Sequence, residues 1–358
     1  MLVIDIKKQL GDLNLDVQLT LPSSGISAVF GRSGAGKSSL ANIISGLSSP
    51  DSGRITLNNS VLFDSEKKVS IPPEQRHVGY VFQDARLFPH YKVEGNLLYG
   101  CNGKRTHLFD DVVKLLDIES LLQRYPHSLS GGEKQRVAIG RAILSEPALL
   151  IMDEPLASLD LPRKHEVMPY LERLAKEIQT PIIYVTHSLD EILRLADHMV
   201  LLNQGKVSLS GDITDVWGSP LMRPWLNASE HSALLEGFIT ELHSDHPMTL
   251  VTLNDSQQGI WVKAPCECTE EGQKIRLRIR ANDVSLIKQQ PEQSSIRNIL
   301  PVIIDSLTED KENDVVAVRL NLSGHLLWAN ITRWAQEELA LDVGQHWFAQ
   351  IKGVSVTQ

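Results

Sequence analysis

Residues 26–47 read Ile26-Ser27-Ala28-Val29-Phe30-Gly31-Arg32-Ser33-Gly34-Ala35-Gly36-Lys37-Ser38-Ser39-Leu40-Ala41-Asn42-Ile43-Ile44-Ser45-Gly46-Leu47. The first five form an apolar run short enough for a buried parallel strand. Leu40, Ile43, Ile44 and Leu47 then recur at helical spacing until Gly46 and Pro50 end the pattern. Between strand and helix lies the spacing G-x-x-x-x-G-K-S. Its glycines let backbone N–H groups curl round phosphates, Lys37 adds a point charge, and the Ser38 hydroxyl can ligate a magnesium ion. The helix N-terminus points at the same anion. This stretch predicts an α/β fold built round a phosphate-binding loop, with Gly31, Arg32, Ser33, Gly34, Ala35, Gly36, Lys37 and Ser38 holding the phosphates of ATP.

Working outward, three more apolar runs end on polar residues. Val81-Phe82 runs into Gln83, Ile151-Met152 into Asp153 and Glu154, and Tyr184-Val185-Thr186 into His187. In an open parallel sheet a ligand sits beyond the carboxyl ends of the strands, so four motifs at four strand ends converge on one crevice. Asp153 ends where Mg²⁺ sits and Glu154 is placed to polarise the attacking water. An Asp-Glu pair leaving a strand is also an ordinary loop exit, and it is the upstream Lys37 and Ser38 that favour chemistry. Gln83 can reach the metal or the water with its amide, and one nitrogen of His187 can bond the γ-phosphate. A solvated glutamine and a bystander histidine are the plain alternatives.

Leu129-Ser130-Gly131-Gly132-Glu133 opens a helix through Val137, Ala138, Ala142 and Ile143. Ser130 caps it, so a hydroxyl, the Gly131 and Gly132 amides and the helix dipole face outward together. Such an end binds phosphate, yet the chain already has a phosphate loop. The economical expectation is that this end closes over the nucleotide of a second copy, in a homodimer.

The 358 residues exceed one comfortable core, and 35 basic against 44 acidic residues give a net charge of −9, which argues against a nucleic-acid partner. No apolar stretch approaches the ~18 residues of a membrane helix. The start, Met1-Leu2-Val3-Ile4-Asp5-Ile6-Lys7-Lys8, turns charged too early for a signal peptide, so a cytosolic protein is expected. Of three cysteines, Cys266 and Cys268 sit close together, but without a second pair at zinc spacing they read as reduced and structural.

Between Gln83 and Pro147 the reading is helical, over Gly95 to Tyr99, Leu108 to Leu116 and Glu133 to Leu144, as a subdomain inserted into the sheet. All six tryptophans lie at or beyond Trp217. From there, alternating runs such as Val316, Val318, Leu320 and Leu322 have the period of half-buried strands, as do Met248 to Leu253, Gly259 to Lys263, Ile275 to Arg280, Leu326 to Ile331 and Trp347 to Ile351. With one short helix near Thr332 to Leu341, they predict a small OB-like barrel or sandwich.

In this order the motifs resemble the ATP-binding-cassette (ABC) ATPases among the P-loop NTPases. The resemblance makes Gly31 to Ser38 the Walker A loop, Gln83 the Q-loop, Leu129 to Glu133 the signature, Asp153 and Glu154 the Walker B aspartate and catalytic base, Ser158-Leu159-Asp160 the D-loop, and His187 the switch histidine. Importers of the family commonly stack adenine on an aromatic residue ahead of the Walker lysine. Here that stretch, Gln9 to Leu15, carries none. Ser294 to Leu300, Leu327 to Thr332 and Ala349 to Val356 resemble the molybdate- and tungstate-binding molbindin domain. Together with Phe88 to Leu97 they make the chain similar to the ATPases of molybdate importers.

The resemblance implies an ABC domain over 1–229 with its helical subdomain near 84–147, a linker and first β-domain strands over 230–292, and a molbindin-like domain over 293–358. It also implies ATP and Mg²⁺ as cofactors, the metal held by Ser38, Gln83 and Asp153. A homodimer would work peripherally on the cytoplasmic face of the inner membrane, bound to a permease fed by an extracytoplasmic binding protein. Ser295, Arg297, Thr332 and Lys352, with Ser355, are the candidates for holding an oxyanion. The alternatives are a soluble cassette ATPase of DNA repair or translation, which would show tandem cassettes, coiled-coil insertions or basic stretches, and an importer ATPase for sulfate or another oxyanion.

Overall fold

The computed structural model describes residues 1–101, 103–226, 230–263, 270–310 and 314–357. The Cys266 and Cys268 pair lies outside the described residues. The chain divides into two compact units, Met1–Ile213 and Thr214–Gln358.

In chain order the first unit contains β1 (Leu2–Leu10), β2 (Leu13–Leu21), β3 (Ile26–Phe30), α1 (Lys37–Ser45), β4 (Ser52–Leu57), β5 (Ser60–Asp64), β6 (Val69–Ser70), β7 (Val78–Val81), α2 (Val93–Tyr99), α3 (Phe109–Leu115) and α4 (Gly131–Ile143). β8 (Leu149–Asp153), α5 (Leu161–Glu177), β9 (Ile182–Val185), α6 (Leu189–Leu195), β10 (His198–Asn203) and β11 (Lys206–Asp212) complete it. All eleven strands share one sheet, ordered β6-β5-β4-β1-β2-β11-β10-β3-β9-β8-β7. The half from β10 to β7 is parallel, with Val29 opposite Val185, Asp153 opposite Val185 and Met152 opposite Val81. Its strands are mostly apolar because both faces are largely covered, as β3 and β9 show by being buried throughout. That register brings the four motif-bearing strand ends to one edge, as the sequence predicts. The helices α2, α3 and α4 fall between β7 and β8, where the inserted subdomain is expected.

Two turns fix the phosphate loop against the sheet. A Cβ at Gly31 would come within 2.2 Å of the Leu202 carbonyl, so only glycine lets the loop leave β3 this close to β10. Gly36 has φ +99, a left-handed conformation that turns the chain into α1. The other end of α1 is closed by Arg76. Its buried guanidinium donates to the carbonyls of Ile43 at 2.8 Å, Ile44 at 2.9 Å and Ile71 at 2.7 Å. A cation at a helix C-terminus satisfies orphan carbonyls and complements the dipole.

The second unit starts within α7 (Ile213–Gly218), and then runs β12 (Ser232–Leu242), β13 (Met248–Leu253), β14 (Gly259–Lys263), β15 (Lys274–Arg280), β16 (Val284–Ile287), β17 (Asn298–Asp310), β18 (Val315–Leu322), β19 (His325–Thr332), α8 (Arg333–Leu339), β20 (His346–Ile351) and β21 (Ser355–Val356). Two five-stranded antiparallel sheets, β14-β13-β12-β15-β21 and β16-β20-β17-β18-β19, enclose one core. The expected small all-β domain is therefore larger than its last 66 positions.

Residues 230–292 supply most of one sheet, and the C-terminal β21 pairs with β15 inside it. The sheets are stitched by Asn298, whose amide accepts from the Trp261 N–H and donates to the Trp261 carbonyl, both at 2.8 Å. The boundary at Ile213, ahead of the expected 229, follows from Trp217. This fully buried indole donates to the carbonyl and hydroxyl of Ser232 at 3.1 and 3.2 Å, which ties α7 to the β unit.

Candidate functional site

At the sheet edge, α1 and β8 meet through their first and last residues of interest. The Ser38 hydroxyl donates to Asp153 Oδ1 at 2.9 Å. The other carboxylate oxygen, Oδ2, accepts from the Tyr80 phenol at 3.0 Å, and that phenol also lies 3.1 Å from Asn42 Oδ1. Burial, and the Asp153 carboxylate beside it, push Tyr80 far above the ordinary tyrosine range, so the phenol stays protonated and donating. Ser38 and Asn42 are one turn apart on α1. Tyr80 therefore brackets the aspartate between β7 and that helix, a role the sequence reading missed; its signal was a hydroxyl in an otherwise apolar strand.

Lys37 is buried, its Nζ donating to the carbonyls of Gly31 at 2.9 Å and Arg32 at 3.3 Å. Burial lowers its pKa, while Glu154 and Asp153 pull it back up. The ammonium is thus close to both carboxylates and inside the loop. Arg32, Ser33, Gly34 and Ser38 are exposed, and Ala35 is anchored by accepting at its carbonyl from Gly205 N–H at 3.1 Å. Leu13 and Leu15 of β2 flank Gly36, 3.3 and 3.0 Å from where a Cβ would stand. Aliphatic side chains occupy that flank of the loop.

Glu154 follows β8 in a left-handed conformation, φ +46, and its N–H donates to the Val185 carbonyl at 2.9 Å. A non-glycine residue at positive φ is uncommon, and here it turns the carboxylate out of line with the strand. Oε2 lies 3.3 Å from His187 Nδ1. Glu154 is mostly covered and His187 is more than half exposed, so the imidazole has room to move. Gln83 is exposed, and among the described residues its side-chain amide makes no hydrogen bond. It is joined to the D-loop through its backbone carbonyl, 3.5 Å from the Ser158 hydroxyl. The buried Gln135 amide of α4 reaches the Phe82 carbonyl at 3.4 Å and so ties the signature helix to the root of the Q-loop.

Ser130 heads α4 in a full capping box. Its hydroxyl accepts from Glu133 N–H at 3.2 Å, and its own N–H donates to Glu133 Oε2 at 2.6 Å. The two glycines have a packing role that the sequence reading did not anticipate. A Cβ at Gly131 would come within 2.9 Å of Leu159, and one at Gly132 within 3.3 Å of Val167. They let α4 lie against the D-loop and α5, so signature and D-loop pack side by side.

The phosphate loop meets the end of β8 through Ser38 and Asp153, and the end of β8 meets that of β9 through Glu154 and His187, while the Gln83 side chain is exposed and, among the described residues, touches neither pair through a hydrogen bond. In the β unit, Ser295, Arg297, Thr332, Lys352 and Ser355 are all exposed. Thr332 caps α8 by accepting from Ala335 N–H at 3.1 Å, and the Ser355 hydroxyl donates to the Arg278 carbonyl at 3.3 Å. No cluster of three or more acidic, histidine or cysteine ligands that could hold a metal occurs among the described residues. No described helix is long and apolar enough to cross a membrane.

Residues 15–157 match the ABC transporter family, and residues 294–358 match the TOBE domain. The molybdenum import ATP-binding protein ModC of Aliivibrio fischeri is 86% identical over 358 residues, spanning 100% of this chain and 98% of its own. ModC of Photobacterium profundum is 58% identical over 357 residues, spanning 100% and 99%. Among solved structures, cbiO1 from Clostridium perfringens, part of the ABC transporter complex cbiONQ, superposes with a TM-score of 0.51 at 29% identity, covering 62% of this chain and 93% of its own. The ATP-binding cassette MJ0796, in a dimeric post-hydrolysis state bound to ADP and Pi, gives 0.50 at 25% identity, covering 60% and 99%. This chain belongs to the molybdenum import ATP-binding proteins of the ABC transporter family.

Proposed function

We propose that the chain hydrolyses ATP to drive molybdate import, acting as a homodimer on a membrane permease at the cytoplasmic face of the inner membrane. The observation that carries this is the convergence of Lys37, Ser38, Asp153, Glu154 and His187 at one sheet edge, in a chain 86% identical throughout to a molybdenum import ATP-binding protein. Glu154 is the base that takes a proton from the attacking water, and His187, already within reach of it, holds the γ-phosphate side of the reaction. Lys37 moves from the loop carbonyls to the phosphates. Gln83, at the root of the helical insertion, senses the nucleotide.

Ser38 and Asp153 present two oxygen donors side by side, the hard ligand type that suits Mg²⁺. When bound there, the metal neutralises charge on the β- and γ-phosphates. A lone signature and a lone Walker loop per chain support a head-to-tail pair in which Ser130, Gly131 and Gly132 of one copy close over the other's nucleotide. Adenine packs on Leu13 where other cassettes offer an aromatic ring. The β unit senses cytosolic molybdate or tungstate, with Ser295, Arg297, Thr332 and Lys352 as its candidate donors.

Uptake of radiolabelled molybdate by cells carrying the native chain or Glu154→Gln tests the reading. Loss of molybdate uptake with sulfate uptake unchanged is expected. Molybdate uptake untouched by Glu154→Gln would overturn it.

A further inference from the structure

Behind His187 lies a buried carboxylate that none of the motifs accounts for. Glu191, in the first turn of α6, has only 7% of its side chain exposed and is surrounded by three donors. Its Oε2 accepts from the Thr186 hydroxyl at 2.7 Å and the Tyr184 phenol at 3.1 Å, and its Oε1 from Lys164 Nζ at 3.1 Å. Tyr184 is itself fully buried in β9.

The Thr186 hydroxyl also accepts from Ser188 N–H at 3.0 Å, and the Ser188 hydroxyl accepts from Glu191 N–H at 3.4 Å. Both neighbours of His187 in the chain are therefore fixed, directly or through one bond, by one side chain. A histidine more than half exposed, such as His187, has little packing of its own to orient it. Its approach to Glu154 depends on how firmly the backbone at 186–188 is held.

Lys164 extends the network to the D-loop side. Its backbone N–H donates to the Asp160 carbonyl at 2.9 Å, and the Asp160 carboxylate caps the same turn through Arg163 N–H at 3.2 Å. A buried ion pair is a poor way to gain stability, since well-packed apolar residues do as well, and its best-attested use is to fix a particular arrangement. What this pair fixes is the position of α5's first turn relative to the turn bearing His187.

We propose that Glu191 is a positioning residue for His187, and that Lys164 links that position to the D-loop turn at Asp160. The proposal rests on the reading of His187 as a group in contact with the γ-phosphate. Displacement of a reacting group by an ångström costs about 10²-fold in rate. Glu191→Gln keeps the shape and an acceptor for Thr186 but sets an amide against the Lys164 ammonium. It is expected to lower kcat about tenfold while KM for ATP stays within about twofold, the signature of a lost transition-state interaction.

The deciding measurement is a double-mutant cycle on steady-state ATPase activity of the full chain, with Glu191→Gln and His187→Ala alone and combined. Residues that act as a unit are non-additive, so the Glu191→Gln loss should shrink below about twofold once His187 is gone. Thr186→Val, which removes only the hydroxyl, should behave in the same way and carries the test if Glu191→Gln does not fold. Independent, multiplicative losses would overturn the proposal and leave the role of His187 standing. Normal kcat in His187→Ala alone would overturn that role, and the proposal with it.

Discussion

The Ser38 hydroxyl and the Asp153 carboxylate, 115 positions apart in sequence, lie 2.9 Å apart at the junction of α1 and β8. One hydrogen bond thus joins the two motifs that define the nucleotide site. Tyr80 holds the far side of the same carboxylate. Deleting its hydroxyl leaves the ring in place against Phe82, 4.4 Å between centroids, and frees Asp153 Oδ2. A hydrogen bond to a charged group contributes about 1.5–3 kcal/mol. Tyr80→Phe should therefore raise the Mg²⁺ concentration needed for half-maximal ATPase at least about tenfold, with nucleotide binding in EDTA unchanged. Calorimetry of Mg²⁺ with a non-hydrolysable ATP analogue gives the same comparison without turnover. Equal Mg²⁺ affinities in the two proteins would show that Ser38 alone suffices to orient the aspartate.

Glu154→Gln should bind ATP and barely turn it over, because losing a positioned base costs about 10²–10⁴-fold while the phosphate loop is untouched. Lys37→Ala should instead weaken nucleotide binding. With ATP and Mg²⁺ present, Glu154→Gln should sediment as a dimer. A monomer at every concentration, together with undiminished activity of the native chain on dilution, would argue that each copy works alone.

The phosphate loop, the Walker B pair and the strand ends are legible in the sequence because each is local: a few consecutive residues with fixed spacing set both backbone and chemistry. What escaped is the set of side chains that support them from other elements. Tyr80, Gln135 and Glu191 act on Asp153, Phe82 and Thr186 respectively, and only the strand order and helix packing bring two of those pairs together. In sequence the signature glycines read only as anion donors, because their closeness to Leu159 and Val167 exists only once α4 packs on α5. In the β unit, alternation marks strands but says nothing of which sheet each joins. Residues 230–292 therefore read as a linker with first strands until Asn298 and β21 tie them to the C-terminal segment.

Arg76 offers a stability test away from the chemistry. Its guanidinium serves three carbonyls, two of them at the end of α1, and it sits where a Cβ on Gly46 would stand, 2.6 Å from Nε. Arg76→Met should cost about 2–3 kcal/mol in urea unfolding, as expected when buried carbonyl acceptors lose their donor. A loss below about 1 kcal/mol would mean that water replaces the guanidinium at no great cost.

His231, at the entrance to β12, sets an acid limit on the β unit. Burial lowers its pKa below the usual histidine range and the Arg223 guanidinium adds to the effect, only partly offset by the Arg223 backbone contact and by Asp310 and Glu230. The folded imidazole is therefore neutral where the unfolded one, with a pKa of about 6.5, is already taking up a proton. The unfolded state binds more protons in that window, so stability rises with pH through it and is lost as pH falls below about 6.5. His231→Gln should flatten the dependence of the urea midpoint on pH between about 7 and 5. An unchanged slope would assign the acid sensitivity to other groups.

The tryptophans make the proposed sensing role measurable. None precedes Trp217, and within the β unit Trp217, Trp328 and Trp347 are buried while Trp334 on α8 is 75% exposed. Thr332 caps α8, so a ligand engaging Thr332 disturbs the helix that carries Trp334. Feedback requires the oxyanion to prefer one conformation, and a tenfold preference corresponds to about 1.4 kcal/mol, within reach of a few charge-assisted hydrogen bonds. Molybdate should therefore give a saturable change in tryptophan emission, weaker with sulfate and lost in Ser295→Ala or Lys352→Ala. Trp334→Phe should remove most of the signal without removing the heat of binding. Flat emission together with no heat at millimolar molybdate would leave the β unit as a scaffold, and the candidate donors as surface hydroxyls and charges.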